Sequence, residues 1–258
     1  MAAAWLAVAG STWAHDFWIE PASFRATPEA RVPLRLLVGQ DFKGNSVLYV
    51  PEQFERYIYA SAGAEQSIDG KRGDDPAGKL PPGPPGFYVV GYHSAKFEVS
   101  FDTYAEFQRY LETEGLERNL VHVAKRWKLG SKELEVYSRG AKSFVQRGAG
   151  APFADHVFGF PLELVADTNP YTDASAFRVR LLYRGKPLDG ALVVAFNKAD
   201  PTHKLRVRTD KDGRAELKLA RRGIWLVTSV HMIPAPFLSR TDWESFWASL
   251  TFELPNRP

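Results

Sequence analysis

Short runs of β-favouring residues, separated by glycine and proline, fill most of this sequence and limit the chain to folds built from many short strands. Residues 31–50 are broken by two glycines, which is typical of strands joined by tight turns. Residues 54–61 alternate and are rich in aromatic side chains. Residues 87–93 and 96–101 indicate a pair of strands around a short turn. The Gly- and Pro-rich segment 70–86 predicts a loop.

The pattern changes at residue 103. Thr103 and Glu106 form the capping box T-x-x-E, and apolar residues spaced by three and four follow as far as Gly115. The same spacing recurs later in the segment, at Leu134, Tyr137, Ala141, Phe144 and Val145. We therefore predict a helical insert of two or three helices over residues 103–147.

The β pattern returns after residue 155. Seven short apolar runs lie between residues 162 and 254, with turn residues such as Asp212-Gly213 between them. Strands at this spacing are typical of a sandwich, and the run over residues 208–227 is similar to a transthyretin-like or immunoglobulin-like module. We predict a mainly β protein of two such β-sandwich domains. They comprise residues 15–155, which include the helical insert, and residues 156–258.

Composition excludes several classes of protein. The chain has no cysteine, so disulfide scaffolds, zinc ribbons, iron–sulfur clusters and thiol catalysis are excluded. The 33 Lys and Arg and the 30 Asp and Glu side chains are interspersed, and the formal net charge is only +3. No basic run has the length of a nucleic-acid patch, and no Walker A or G-x-G-x-x-G loop occurs. We expect no nucleic-acid partner.

Residues 1–14 are uncharged and mostly apolar, and they end in Thr12-Trp13-Ala14. Small residues at the two positions that a signal peptidase reads predict a secretory signal peptide, although no Lys or Arg precedes the apolar run. The segment is shorter than the roughly 20 apolar residues that cross a bilayer, so we expect a periplasmic mature chain without a transmembrane segment. Cleavage after Ala14 makes His15 the first residue. The alternative is a buried N-terminal strand or helix.

A terminal histidine offers two nitrogen ligands, the free α-amine and the imidazole, and Cu²⁺ and Ni²⁺ favour such chelates. Of the six histidines, His93 and His231 end predicted strands, and neighbouring strand ends can bring distant residues to His15. These three are the candidate metal ligands. A single histidine is more often a surface or satisfied core residue, and no H-x-H or H-E-x-x-H motif occurs.

Two other patterns have structural explanations. The segment Asp210–Gly213 opens like a calcium loop, but Arg214 stands where a further oxygen ligand is needed, so we predict a hairpin turn. The aromatic side chains of Trp243, Phe246 and Trp247 have the shape to stack on a sugar. We expect them instead in the core around the last strand.

Seven segments resemble, in matching order, one bacterial family of proteins with a domain of unknown function: AHDFWIEP (14–21), GYHSAKFEV (91–99), YLETEGLE (110–117), EVYSRGAKSFV (135–145), FPLELVADTNPY (160–171), GKPLDGALV (185–193) and WASLTFEL (247–254). Its members are often described as periplasmic nickel- or cobalt-uptake components. The resemblance implies export, a β-rich fold and a mature N-terminus at the histidine, and it points to His15, His93 and His231. In the fourth segment, Arg139 and Lys142 are expected to brace the two domains, with anion binding as the alternative.

Three functions follow from these expectations. The first is a non-enzymatic periplasmic carrier that binds nickel, cobalt or copper at a site built on His15 and passes it to a membrane metal transporter or an outer-membrane receptor. The second is an interaction protein of the cell envelope without a metal. The third is a copper oxidase or monooxygenase of the histidine-brace kind, which needs a flat aromatic surface, such as Phe17 and Trp18, around the terminal histidine. We expect a binding protein rather than an enzyme.

Overall fold

The computed structural model describes residues 15–121, 123, 132–148, 152–171 and 176–255. The predicted signal peptide, residues 1–14, lies outside these ranges, as does His122. Nearly all regular structure within them is β-strand, which confirms a mainly β protein built of packed sheets. No helix in the described ranges is long and apolar enough to cross a membrane.

The strands and the helix follow one another in this order. The first part of the chain contains β1 (Asp16–Pro21), β2 (Arg25–Ala26), β3 (Val32–Gln40), β4 (Lys43–Val47), β5 (Phe54–Ser61), β6 (Ala64–Ser67), β7 (Gly78–Leu80), β8 (Gly86–Ser94), β9 (Phe97–Phe101), helix α1 (Tyr104–Thr113) and β10 (Glu133–Arg147). The second part contains β11 (Leu162–Ala166), β12 (Phe177–Tyr183), β13 (Lys186–Pro187), β14 (Leu192–Asn197), β15 (Asp200–Arg208), β16 (Arg214–Leu217), β17 (Gly223–Pro234) and β18 (Trp243–Leu254). Short 3₁₀ turns lie at Pro51–Gln53 and Glu117–Asn119.

One ten-stranded sheet contains strands from both halves of the chain, in the order β15-β14-β17-β18-β10-β8-β5-β6. Its central strand is β10, which pairs in parallel with β18 over residues 135–143. β10 also pairs with β8 and β9 in antiparallel register, and with the short β2 in parallel. The two halves are therefore joined by backbone hydrogen bonds. The predicted domain boundary near residue 155 stays a prediction.

Two small sheets cover opposite faces of this large sheet. The sheet β1-β3-β4, with β7, packs over one face, to which β10 contributes Ala141 and Val145. The sheet β11-β12-β13, with β16, packs over the other face, to which β10 contributes Phe144. Successive residues of a strand point to opposite faces, so β10 supplies both cores. We call these two sides the β1 face and the β11 face.

The start of the predicted helical insert is confirmed. Thr103 precedes α1 as its N-cap, and its side-chain oxygen accepts a hydrogen bond from the backbone N–H of Glu106 at 3.2 Å. Phe107 and Leu111 are buried against Trp243 and other aromatic side chains of the large sheet. Helix α1 therefore packs on the large sheet.

The helix predicted over the later part of the insert is wrong, because residues 133–147 form strand β10. Most side chains of β10 are buried, since packed layers cover both of its faces. A strand of this kind carries apolar residues at nearly every position, and a helical spacing of three and four is then met by coincidence. Helical backbone resumes at Leu120, but the predicted helical positions from 124 to 131 lie outside the described residues.

Lys142 ties the extended segment before β11 to the large sheet. Its side chain is buried, and Nζ lies 2.7 Å from Oδ1 of Asp155 and 3.3 Å from Oε1 of Glu163. Nζ also donates to the backbone carbonyls of His156 at 2.8 Å and Leu164 at 3.1 Å. These contacts join residues on both sides of position 155.

Replacing Lys142 with Met should lower the free energy of unfolding by about 3–5 kcal/mol, because the buried carboxylates of Asp155 and Glu163 lose their counter-charge. Urea unfolding followed by tryptophan fluorescence measures the change. The matched control is Lys132→Met, because Lys132 pairs with Asp102 at the surface, where an ion pair contributes at most about 1 kcal/mol. Equal losses in the two variants would contradict the bracing role.

Candidate functional site

The three predicted metal ligands lie on two different faces of the large sheet. His15 directly precedes β1 on the β1 face, and its backbone carbonyl accepts a long hydrogen bond from β10. His93 of β8 and His231 of β17 are buried on the β11 face, where their rings contact Phe160 and Tyr183. The structure therefore does not bring the three histidines together.

Glu55 orients the imidazole of His93. Its Oε2 lies 3.1 Å from Nδ1, and the ring stacks on Phe160 with the centroids 5.4 Å apart. Burial lowers the pKa of His93, and Glu55 partly offsets this effect. The neutral ring therefore carries its proton on Nδ1, facing the carboxylate. Nε2 is left as an acceptor, buried and without a partner among the described residues.

His231 is held by an arginine. Nδ1 of His231 accepts a hydrogen bond from Nη2 of Arg118 at 3.1 Å, and the ring meets Tyr183 edge to face at 4.4 Å. Burial lowers the pKa of His231 to about 4, and the charges of Arg118 and Arg184 act in the same direction. His231 is therefore neutral at pH 7, with one ring nitrogen already engaged.

Two strands separate His93 from His231. His231 lies opposite Phe246 of β18, and Phe246 lies opposite Ser138 of β10. With strands about 4.8 Å apart, three steps from β17 to β8 place the two backbones roughly 14 Å apart. Within the described ranges, no group of three or more His, Asp or Glu side chains is placed to hold a metal ion.

Arg139 is the centre of a polar group on the β1 face. Its guanidinium lies over the rings of Tyr137 and Phe17, 4.7 Å and 5.9 Å from their centroids, and Nη2 donates to the carbonyl of His15 at 3.4 Å. Its positive charge also acts on two neighbouring carboxyl groups, those of Asp16 and Glu135. We call the following residues the N-terminal cluster: His15, Asp16, Glu114, Glu135 and Arg139.

The carboxyl groups of the N-terminal cluster retain protons unusually well. Burial raises the pKa of Asp16 to about 6, that of Glu135 to about 7 and that of Glu114 to about 8. Arg139 acts in the opposite direction on the first two, while Asp16 raises the pKa of Glu114 further. Burial and the charge of Arg139 lower the pKa of His15. The imidazole of His15 is therefore neutral at pH 7.

Several buried polar atoms in this region have no hydrogen-bond partner among the described residues. They are Nδ1 of His15, Oε2 of Glu135, Nε of Arg139 and Oγ of Ser249. Buried polar groups nearly always form hydrogen bonds. Four unpaired buried polar atoms in one region therefore indicate a site for a water molecule, an ion or a ligand. A cavity of ≈ 10 Å³, lined in part by Asp16, Arg139 and Ser249, is at the lower limit for one water molecule.

Sequence reasoning found only part of this cluster. His15 and Arg139 were identified, but nothing in the spacing of Asp16, Glu114 and Glu135 indicates that they meet, because they come from β1, the end of α1 and β10.

The aromatic residues of the last strand and the segment Asp210–Gly213 have the structural roles expected from the sequence. Trp243, Phe246 and Trp247 are buried core residues. Oδ1 of Asp210 accepts the N–H groups of Asp212 and Arg214 in a turn.

A family profile described as "Domain of unknown function (DUF4198)" matches residues 12–233. This chain belongs to the DUF4198 family. The match includes all residues of the N-terminal cluster, and it confirms the resemblance at the level of a domain of unknown function. No curated protein matches the sequence of this DUF4198 chain.

Solved structures resemble the DUF4198 chain only at low TM-scores. A tetra-tandem repeat in the extending region of a large adhesion protein has a TM-score of 0.24 at 12% identity, covering 93% of this chain and 49% of that one. The DUF4198 chain thus spans about half the length of that structure. The D0-D1 domain of intimin has a TM-score of 0.20 at 13% identity, and the match covers 92% of this chain and 97% of that one. Dimeric latent PorU from Porphyromonas gingivalis has a TM-score of 0.18 at 12% identity, and the match covers 90% of this chain and 20% of that one. Scores of this size carry no argument about function.

In the DUF4198 chain, Glu135→Gln should raise the free energy of unfolding at pH 8 by about 3 kcal/mol and leave it nearly unchanged at pH 4.5. The pKa of Glu135 is about 7 in the folded protein, above its ordinary value of 4.5, so the native chain loses stability as the pH rises from 4.5 through 7. Glutamine stays neutral and keeps an oxygen for the hydroxyl groups of Tyr110 and Ser245.

Urea unfolding of both proteins at pH 4.5, 6 and 8 checks this prediction. Glu216→Gln is the control, because Glu216 is exposed and pairs with Arg178 at the surface. A difference between E135Q and the native chain that stays constant with pH would show that Glu135 is not a buried, protonated group.

Proposed function

We propose that the protein is exported to the periplasm and binds a transition metal ion, nickel, cobalt or copper, through the mature N-terminal His15. Export is supported by residues 1–14, whose apolar run and small final residues are typical of a signal peptide. The observation that carries the metal proposal is the Nδ1 atom of His15. It is buried, has no partner among the described residues, and belongs to the residue whose α-amine is freed by cleavage after Ala14.

Strand β1 fixes the position of the proposed ligand. Trp18 and Ile19 are completely buried three and four residues after His15. The hydroxyl of Thr251 in β18 donates to the carbonyl of Ile19, which holds β1 on the large sheet. A ligand attached to a strand anchored in this way loses little conformational freedom on binding, because its position is already set.

The chemistry of the cluster suits a nitrogen-favouring ion. An α-amine and an imidazole on one residue chelate nickel, cobalt or copper, and the lowered pKa of His15 keeps the imidazole in its neutral, metal-binding form. Because no three His, Asp or Glu side chains of the described ranges are placed to hold a metal ion, the proposed chelate rests on the α-amine and imidazole of His15 alone.

Arg139 limits the strength of this site. Its positive charge is close enough to lower the pKa of His15, and it disfavours a cation in the same way. A carrier has to release its ion, so moderate affinity agrees with delivery to a membrane metal transporter or an outer-membrane receptor. His93 and His231 are not included in the proposed site, because they lie on the β11 face.

The described residues do not support the histidine-brace oxidase. The aromatic surface that this alternative needs is not offered by Phe17 and Trp18, whose side chains are buried in two cores. The metal-free interaction protein is the alternative that the metal titration below tests.

Calorimetric titration of the mature protein beginning at His15 with Ni²⁺, Co²⁺ and Cu²⁺ tests the proposal. One-to-one binding is expected, and it should weaken at least about tenfold when one Ala precedes His15, because the chelating α-amine is then an amide. Copper EPR should show nitrogen ligation that the added Ala removes.

The control for histidine loss is His203→Ala, because His203 is an exposed residue of β15. It should bind like the unmodified mature protein, whereas His15→Ala should bind like the Ala-extended form. Equal, weak binding in all four proteins would leave the envelope interaction protein as the function.

A further inference from the structure

We propose that the cleft on the β11 face binds a small carboxylic acid with several hydroxyl groups, of the size of a sugar acid. The cleft has a volume of ≈ 520 Å³, within the usual range of ligand pockets. The large sheet supplies His93, Ser138 and Phe246 to its lining, and the turn after β12 supplies Arg184. This inference is independent of the metal proposal, whose site lies on the β1 face.

His93 supplies a fixed hydrogen-bond acceptor. Its side chain lines the cleft although the residue is only 8% exposed. The carboxylate of Glu55, 3.1 Å from Nδ1, keeps the ring proton on that nitrogen and leaves the lone pair on Nε2. Nε2 is buried without a partner among the described residues. A hydroxyl group of a ligand is a donor that satisfies it.

Arg184 supplies a positive charge. Its guanidinium lies over the rings of Tyr183 and Phe246, 5.0 Å and 5.8 Å from their centroids, which limits its orientations. The other cation of the cleft, Lys96, is already paired with Glu244 at 2.7 Å, whereas Arg184 forms no ion pair with a described residue. The planar guanidinium matches a carboxylate, to which it donates two parallel hydrogen bonds.

The remaining lining selects among anions. Glu55 also borders the cleft, and its negative charge repels a dianion such as a phosphate monoester more than a monoanion. The hydroxyl of Ser138 offers a further hydrogen bond, and Pro161 and Phe246 offer apolar surface to the C–H groups of a sugar-sized ligand. A polyhydroxylated monocarboxylate meets all of these requirements.

NMR titrations with D-glucuronate, D-galacturonate and D-gluconate test this proposal. Each is compared with its neutral counterpart, D-glucose, D-galactose or D-glucitol. At least one acid should give saturable shifts of the Arg184 Nε–H signal and of the His93 ring nitrogens. The affinity of its neutral counterpart should be at least about tenfold lower, because that compound lacks the charge-assisted pair with Arg184.

Arg184→Gln is the main variant, because Arg184 is exposed. It should weaken binding of the acid about tenfold. Arg178→Gln is the matched control, since Arg178 is an exposed arginine of β12 that does not line the cleft. The proposal is overturned by no saturable shift with any of the three acids, by equal binding of an acid and its neutral counterpart, or by equal effects of the two variants.

Discussion

The pairing of β10 with β18 is the interaction on which the rest of the structure depends. The two strands run parallel over nine residue pairs, although more than a hundred residues separate them in sequence. This pairing joins strands from both halves into one sheet, and the sheet has two faces. One face supports β1 and with it His15. The other supports the β11 sheet and the cleft that contains His93 and Arg184. Both candidate sites therefore lie on the same central strands.

The sequence was informative where a local signal determines the structure. Thr103 and Glu106 predicted the start of α1, and the turn at Asp210–Gly213 followed from its residue types. The error over residues 133–147 has a physical cause, because a strand buried on both faces has no alternation to reveal its period. The pairing of β10 with β18 also has no local signal, since it joins residues that are remote in the chain.

The candidate sites were predictable to a smaller extent. The type and position of His15, His93 and His231 drew attention to them, but which face of a sheet each side chain occupies depends on register. Register is set by tertiary packing and cannot be read from a single strand. The three acids of the N-terminal cluster were missed for the same reason. Their raised pKa values come from burial, which is a property of the assembled layers.

The position of β18 in the large sheet has a consequence for the order in which the protein folds during synthesis. β18 is the last strand of the described chain, yet it lies between β17 and β10 rather than at an edge. Until residues 243–254 have left the ribosome, the parallel edge of β10 and one edge of β17 have no partner. Unpaired strand edges are prone to associate with other chains, so the nascent protein exposes two such edges until β18 has been synthesised.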